Sequence, residues 1–336
     1  MKLYYNALSD VGTARTNNED YLFAGQTGDD EYLFIVADGM GGHRAGEIAS
    51  QKAVNVFVQQ VKKGLGAHAH ATDAYGIIAS LKQTVLYVNE VLIKEGQESP
   101  EHRGMGTTLS VLYLKADQGY IAHVGDSRIY RFPHSNGTPT IEQLTEDHSF
   151  VGKLLRDGFI TPEDARNHPR RNVLYQSIGI KSDITVQVIE PIPIETGRKF
   201  VLCSDGLYGV VSDEEITEHL KNDSPDQAVK QLVNLANAHG GPDNITVIIV
   251  SIDAGEEPHE DHHPTSDTVP DITAITQFDA PMVTAQEKRR RSKLICLILV
   301  GLLALLLALI IYISFNDANH AHESDMETEP QAYKTK

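Results

Sequence analysis

Apolar positions along this chain fall into short runs closed off by glycine, aspartate or proline. EYLFIVAD, TTLSVLYLK, GYIAHVGDSRIYRF, DITVQVIEP, RKFVLCSD and NITVIIVSID each have strand length and β-branched content. Between them lie stretches of helical pattern: Ala45 to Lys63, Asp73 to Gly96, Ser149 to Asp157, Asp213 to Asn222 and Ser224 to Ala238. Asp213 and the Ser224-Pro225 pair read as helix starts. Strands and helices come in blocks rather than in βαβ alternation. In TTLSVLYLKADQGYIAHVGDSRIYRF a short turn joins two apolar runs, which predicts antiparallel hairpins. The pattern therefore predicts an α+β layered domain over residues 1–252.

The pattern changes after residue 252. Asp253 to Glu287 is rich in acids, prolines and threonines and holds no Lys or Arg, so a flexible linker is expected over 253–293. Its HEDHH, His259 to His263, reads as solvated polar chain rather than a metal site. LICLILVGLLALLLALIIYISF, Leu294 to Phe315, is 22 residues without a charge. At about 1.5 Å per residue such a helix crosses a hydrocarbon core of about 30 Å. KRRRSK, Lys288 to Lys293, precedes this run and the acidic 316–336 follows it. Positive charge stays inside, so a single-pass cell-membrane protein is expected, with its large N-terminal part cytoplasmic and a short acidic tail outside. The opening MKLYYNALSDVG lacks the basic and apolar regions of a secretory signal.

Composition narrows the partners. A net charge of −17 argues against nucleic acid, which needs clustered Lys and Arg. Two cysteines, both in apolar runs, make a disulfide framework improbable and suit a reducing compartment.

The candidate chemistry sits where strands end. IVADG closes on Asp38-Gly39, AHVGDSR holds Asp126, VLCSDG closes on Asp205-Gly206, and GGPDNIT sets Asp243 before the last strand. Glu19 and Asp20, in NNED, precede the run YLFAG. Single aspartates of this kind are usually turn formers. Several at successive strand ends would converge if those ends share one edge, and clustered carboxylates need a compensating charge. Mg2+ or Mn2+ suits an oxygen donor set, whereas zinc would need Cys or His ligands. GxxxxGK[ST], HExxH and GxSxG are absent, so a metal-bound water is the expected nucleophile, and two such ions would clamp a phosphoryl transfer. Arg15, in GTARTNNED, could grip phosphate through its guanidinium or pair with Glu19 or Asp20 at the surface.

ARTNNED, VADGMGGHRAGE, GMGTTLSVLYL, AHVGDSRIYR, LTEDHSF, VLCSDGLYGVV and GGPDNITVIIV occur in the order found in the metal-dependent type-2C protein serine/threonine phosphatases, the PPM family. The chain resembles its bacterial branch over roughly Ser9 to Ser251. The resemblance implies a four-layer α-β-β-α sandwich of two antiparallel sheets flanked by helices. It also implies hydrolysis of phosphoserine and phosphothreonine at a binuclear Mn/Mg centre, reversing a Ser/Thr protein kinase. Asp38 matches the carboxylate bridging two metals, and Gly39 the residue lending its backbone carbonyl to one of them. Asp205 and Asp243 match ligands of the second metal, while Glu19 and Asp20 match positions near the first. Asp126 matches a ligand of the third, weaker metal of bacterial members, and Arg15 the phosphate-binding arginine. His43 is the nearest match to a general acid, although three residues separate it from the DG pair that precedes the histidine directly in eukaryotic relatives. Its role stays open between proton donor and structural or substrate contact. Asp147 to Asn172 resembles the flap of bacterial members. Two alternatives are a catalytically weak phosphoprotein-binding scaffold at the membrane and a same-fold phosphatase for other phosphate esters. Mn2+-dependent phosphopeptide turnover would separate them.

Overall fold

In the last strand, β11 (Ile245–Asp253), every residue from Ile245 to Ile252 is buried, so both of its faces must be covered. Ile245, Val247 and Ile249 pack with helices α6 (Asp213–Asn222) and α7 (Pro225–Ala238), while Ile248, Val250 and Ile252 meet a second sheet. The same alternation divides β10 (Lys199–Cys203): Val201 and Cys203 face the helices, Phe200 and Leu202 the sheet. A strand buried on both sides reads as a continuous apolar run, which is why these two stood out in the sequence.

The protein is described by a computed structural model covering residues 2–41, 45–64, 73–133 and 138–253, all within one compact unit. His43, the linker beyond residue 253, the 294–315 run and the 316–336 tail lie outside the described residues. One sheet runs β1 (Lys2–Asp10), β11, β10, β7 (Arg128–Phe132), β8 (Glu142–Gln143). The other runs β2 (Asp20–Gly28), β3 (Glu31–Met40), β5 (Leu109–Lys115), β6 (Gln118–Val124), β9 (Gln187–Pro193), with β4 (Gly106–Thr107) beside β3. All pairings are antiparallel. Helices α1 (Ala45–Lys62) and α2 (Ala74–Glu98) cover the second sheet, and α6 and α7 the first. This is the expected pair of antiparallel sheets flanked by helices. Among the described residues, only α2 is long and apolar enough to cross a membrane. Its buried face, Ile77, Leu81, Val85, Val88 and Leu92, packs on α1 and the sheet, so it is a core helix.

Side-chain caps set the helix starts. Asp73 caps α2 by accepting from Gly76 N–H, and Ser149 caps α3 (Phe150–Arg156) by accepting from Gly152 N–H. Thr161 with Asp164, Ser212 with Glu215 and Ser224 with Gln227 form capping boxes at α4 (Pro162–Asn167), α6 and α7. The start of α6 is thus fixed by Ser212, one residue before the Asp213 read from sequence.

Three strand readings change. β1, unmarked in the sequence, is an edge strand of mostly half-buried residues broken by Asn6 and Ser9, yet it pairs with β11 along its whole length. DITVQVIEP begins pairing only at Gln187, because Thr185 N–H is taken by the Gln176 side chain at 2.6 Å rather than by a ladder partner. GYIAHVGDSRIYRF is two strands in different sheets. Gly125 makes the crossing at φ +118°, where a Cβ would lie 2.5 Å from Thr108 Cβ.

Candidate metal centre

Both sheets bring strand ends to one edge. Asp20, the first residue of β2, lies directly across from Asp38 of β3. Asp126 sits in the β6–β7 crossing. Asp205 opens a one-turn helix, α5 (Asp205–Tyr208), straight after β10, and Asp243 precedes β11. Asp20 and Asp126 are buried, while Asp38, Asp205 and Asp243 are partly open.

The aspartates share one electrostatic field. Burial first, and then Asp20, Asp205, Asp126 and Asp243, hold the Asp38 carboxyl well above its ordinary range. Burial pushes Asp20 up to about 8, helped by Asp205 and Asp243 and opposed by hydrogen bonds from Ser204 and Thr246. Burial and Asp243 push Asp205 up to about 6, while its hydrogen bond with Asp38 pulls the other way. Burial, with Asp205 and Asp147, raises Asp126. Packed this closely, the carboxyls favour their protonated forms unless a positive charge compensates them.

The backbone at the edge is tied down closely. Asp38 N–H donates to Thr108 Oγ1 at 2.8 Å, and Asp38 O accepts from Thr107 Oγ1 and Thr108 N–H, each at 2.9 Å. Ser204 Oγ donates to Asp20 Oδ2 at 2.7 Å. Asn244 Oδ1 accepts from Glu19 N–H at 2.8 Å, and its Nδ2 donates to Val11 O and Asn17 O, both at 2.9 Å, fixing the β1–β2 loop. Glu19, half-buried, is raised mainly by that burial. Gly39 N–H donates to Glu19 O at 3.1 Å. A Cβ on Gly39 would lie 2.2 Å from Gly46 O and 2.5 Å from Glu19 O, so helix α1 and the Glu19 backbone close over this position. Arg15 Nη2 donates to Asp243 Oδ2 at 2.8 Å, half exposed at the rim, so its partner is Asp243 rather than Glu19 or Asp20.

The donor chemistry fits hard divalent cations: carboxyl oxygens in a shared field that raises several of them, beside backbone oxygens. Among the described residues no three acidic, His or Cys groups form a metal cage by themselves. An ion held here completes its shell with backbone oxygen and water, as Mg2+ and Mn2+ do. Ser204, Thr108, Asn244 and Tyr208, whose hydroxyl donates to Asp126 O at 3.0 Å, escaped the sequence reading as site residues. The one local signal for any of them was Asn244 beside Asp243.

A sequence profile of protein phosphatase 2C matches residues 13–245. The chain belongs to this family. The phosphatase is 38% identical over 246 residues to the serine/threonine phosphatase stp of Listeria monocytogenes, covering 73% of this chain and 94% of that one. It is 39% identical over 251 residues to the protein phosphatase PhpP of Streptococcus pneumoniae, covering 73% and 96%. Among solved structures, the Mycobacterium tuberculosis serine/threonine phosphatase PstP/Ppp superposes with a TM-score of 0.65 at 33% identity, covering 75% of this chain and 99% of its own. The catalytic domain of PstP in complex with two manganese ions gives a TM-score of 0.63 at 33% identity, with coverage of 75% and 99%. The phosphatase is thus an enzyme, a metal-dependent protein serine/threonine phosphatase, of a family that uses Mn2+ or Mg2+.

Proposed function

We propose that the enzyme hydrolyses phosphoserine and phosphothreonine in proteins at a binuclear Mn/Mg centre built on Asp38, resetting sites written by a cognate Ser/Thr protein kinase. The observation that carries this reading is the field of mutually raised aspartates around Asp38, with Arg15 at its rim. Asp38 would be held in common by the two cations, with the Gly39 carbonyl, Asp20 and Glu19 available to one and Asp205 and Asp243 to the other. Asp126 serves a weaker third. When bound, the cations supply a water of lowered pKa for in-line attack on phosphorus and neutralise charge on the phosphoryl oxygens. Arg15 leaves Asp243 to grip the phosphate, an exchange of one charge-assisted hydrogen bond for another. The P–O bond to serine or threonine breaks, and the leaving oxygen takes a proton from His43 or from solvent water. His43 is assigned here as a proton donor or as a structural or substrate contact, the first separable from the others by the alkaline limb of the rate profile of His43→Gln.

The linker 253–293, the span 294–315 and the outer tail 316–336 make the enzyme a single-pass membrane protein with residues 1–252 as its cytoplasmic phosphatase domain. The charge-free 22-residue run after KRRRSK supports this. Tethering concentrates the domain near membrane-bound phosphoproteins.

Release of phosphate from phosphopeptides with and without Mn2+ tests the central reading. Turnover requires Mn2+ and is lost in Asp38→Asn; an Asp38→Asn protein as active as the native one refutes it. Recovery of the full chain in a soluble fraction after carbonate washing refutes the anchor.

A further inference from the structure

The crossing that carries Asp126 is gripped by a histidine the chemistry above does not use. His123 ends three residues before Asp126 and has no exposed surface. Its Nε2 lies 3.0 Å from Gly125 O and 3.1 Å from Glu146 O. Two carbonyls are satisfied only by an N–H, so the proton of the neutral ring belongs on Nε2. Nδ1, 2.9 Å from Ser110 Oγ, is then the acceptor. The one Ser110 hydroxyl proton is donated in a bifurcated bond to Nδ1 and to Ser127 O, the latter also at 2.9 Å. Ser127 Oγ lies 2.6 Å from Thr108 Oγ1, and Thr108 Oγ1 accepts the Asp38 N–H at 2.8 Å.

An unbroken buried path therefore joins the residue-38 backbone to the turn that presents Asp126. The turn is held again from the flap. Gly125 N–H donates to His148 Nδ1 at 3.1 Å, and Gly125 O accepts from His148 N–H at 2.7 Å. The two imidazole rings pack with centroids 5.0 Å apart. Packing alone would be met by a leucine at position 123. Matching each ring nitrogen to a partner, in the one tautomer the carbonyls allow, is the arrangement expected of a group that orients a ligand-bearing backbone.

We propose that His123 is a positioning residue for Asp126. Through Gly125 O, and through Ser110 Oγ to the Ser127 carbonyl with Ser127 Oγ on Thr108 Oγ1, it keeps the Asp126 turn in register with Asp38. This rests on the reading of Asp126 as a ligand of the weakest cation. Loss of the Nε2–H leaves the Gly125 carbonyl held by the His148 N–H alone and weakens that cation selectively, leaving the tighter sites and the substrate grip of Arg15 in place.

The test is a Mn2+-binding isotherm by equilibrium dialysis on the full-length protein, with kcat and KM for a phosphopeptide measured across Mn2+ concentrations. His123→Leu is expected to weaken the weakest site by roughly tenfold, the low end for loss of a group supporting a metal ligand. Its kcat then saturates only at higher Mn2+ while KM stays constant. His123→Gln, which returns an amide N–H toward the two carbonyls, recovers most of the affinity. Ser110→Ala, which leaves Nε2 untouched, shifts the isotherm the same way by less, and it decides the matter if the leucine variant does not fold. A native isotherm in folded His123→Leu, or in Ser110→Ala when the leucine variant is unfolded, overturns the proposal. So does a glutamine variant no better than leucine. If Asp126→Asn loses an ion and His123→Leu does not, only this inference fails. If Asp126→Asn binds as many ions as the native protein, the reading of Asp126 fails with it.

Discussion

Without cations, the carboxylate edge sets the pH dependence of stability, and Asp20 gives the sharpest test. Its carboxyl rises from the ordinary 3.8 to about 8 in the fold, so folding favours its protonated form. For such a group the folded state is fully favoured below about pH 4 and loses about 1.4 kcal/mol per pH unit until pH reaches the folded pKa. Two histidines act the opposite way. Burial lowers His123 to about 3 and also lowers His148, so their contribution grows as pH rises, but it is complete once pH passes the ordinary 6.5. Asp205, near 6, has also finished by then. Between pH 6.5 and 8 the Asp20 contribution is therefore isolated from these, with Asp38 and Asp126 adding to it in sign. Over that interval Asp20 alone costs about 2 kcal/mol. At roughly 2–4 °C per kcal/mol for a domain of this size, the melting temperature in EDTA falls by about 4–8 °C. Saturating Mn2+ reverses the slope, since cation binding displaces the protons and tightens with pH. Thermal melts followed by far-UV circular dichroism in EDTA and in Mn2+, for native protein and Asp20→Asn, read both effects. A flat or rising melting temperature in EDTA from pH 6.5 to 8 would refute the reasoning. So would a native slope in Asp20→Asn.

Arg15→Ala should lower kcat/KM for a phosphopeptide by about 10- to 100-fold, chiefly through KM, as one charge-assisted hydrogen bond is worth about 1.5–3 kcal/mol. Arg15→Lys should recover little of it, because a point charge lacks the fork. Gly39→Ala should destabilise by about 1–3 kcal/mol or more in urea unfolding, since its Cβ meets backbone oxygens of Gly46 and Glu19 that cannot rotate away. Leu202→Ala, between the sheets, should cost about 2–5 kcal/mol yet leave kcat per folded molecule unchanged. Ser204→Ala removes a hydrogen bond to the charged form of Asp20, so its Mn2+ affinity should fall, by calorimetric titration, with little change in peptide KM.

How far the sequence carries can be judged at particular residues. β10 and β11 were legible because strands buried on both faces are written as unbroken apolar runs ending in Asp or Gly. β1 was not, because an edge strand with one buried residue in nine has no alternation to detect and is defined by its pairing with β11. The aspartates were legible from a local sign, an acid beside Gly or Asn at a strand end. Ser204 was not: its bond to Asp20 joins residues 184 apart, and no local pattern marks a serine whose partner comes from the other sheet. His123 lay inside an apolar run, where only the crossing at Gly125 reveals what its ring holds.

The register of β2 against β3 sets two acids side by side. Asp20 and Asp38 are direct cross-strand partners, a placement in which like charges destabilise a sheet. A one-residue slip would part the two acids, but it would also turn either Leu22 of β2 or Phe34 and Val36 of β3 away from the inter-sheet core they fill. The apolar face therefore holds the acids together against their repulsion, and Ser204, Thr246 and Thr108 are hydrogen-bonded to them or their backbone rather than separating them. Hydrophobic burial on one face supplies the stability that charge concentration on the neighbouring edge removes. The fold is then most stable when something positive occupies that edge: protons at low pH, divalent cations at the pH of the cell.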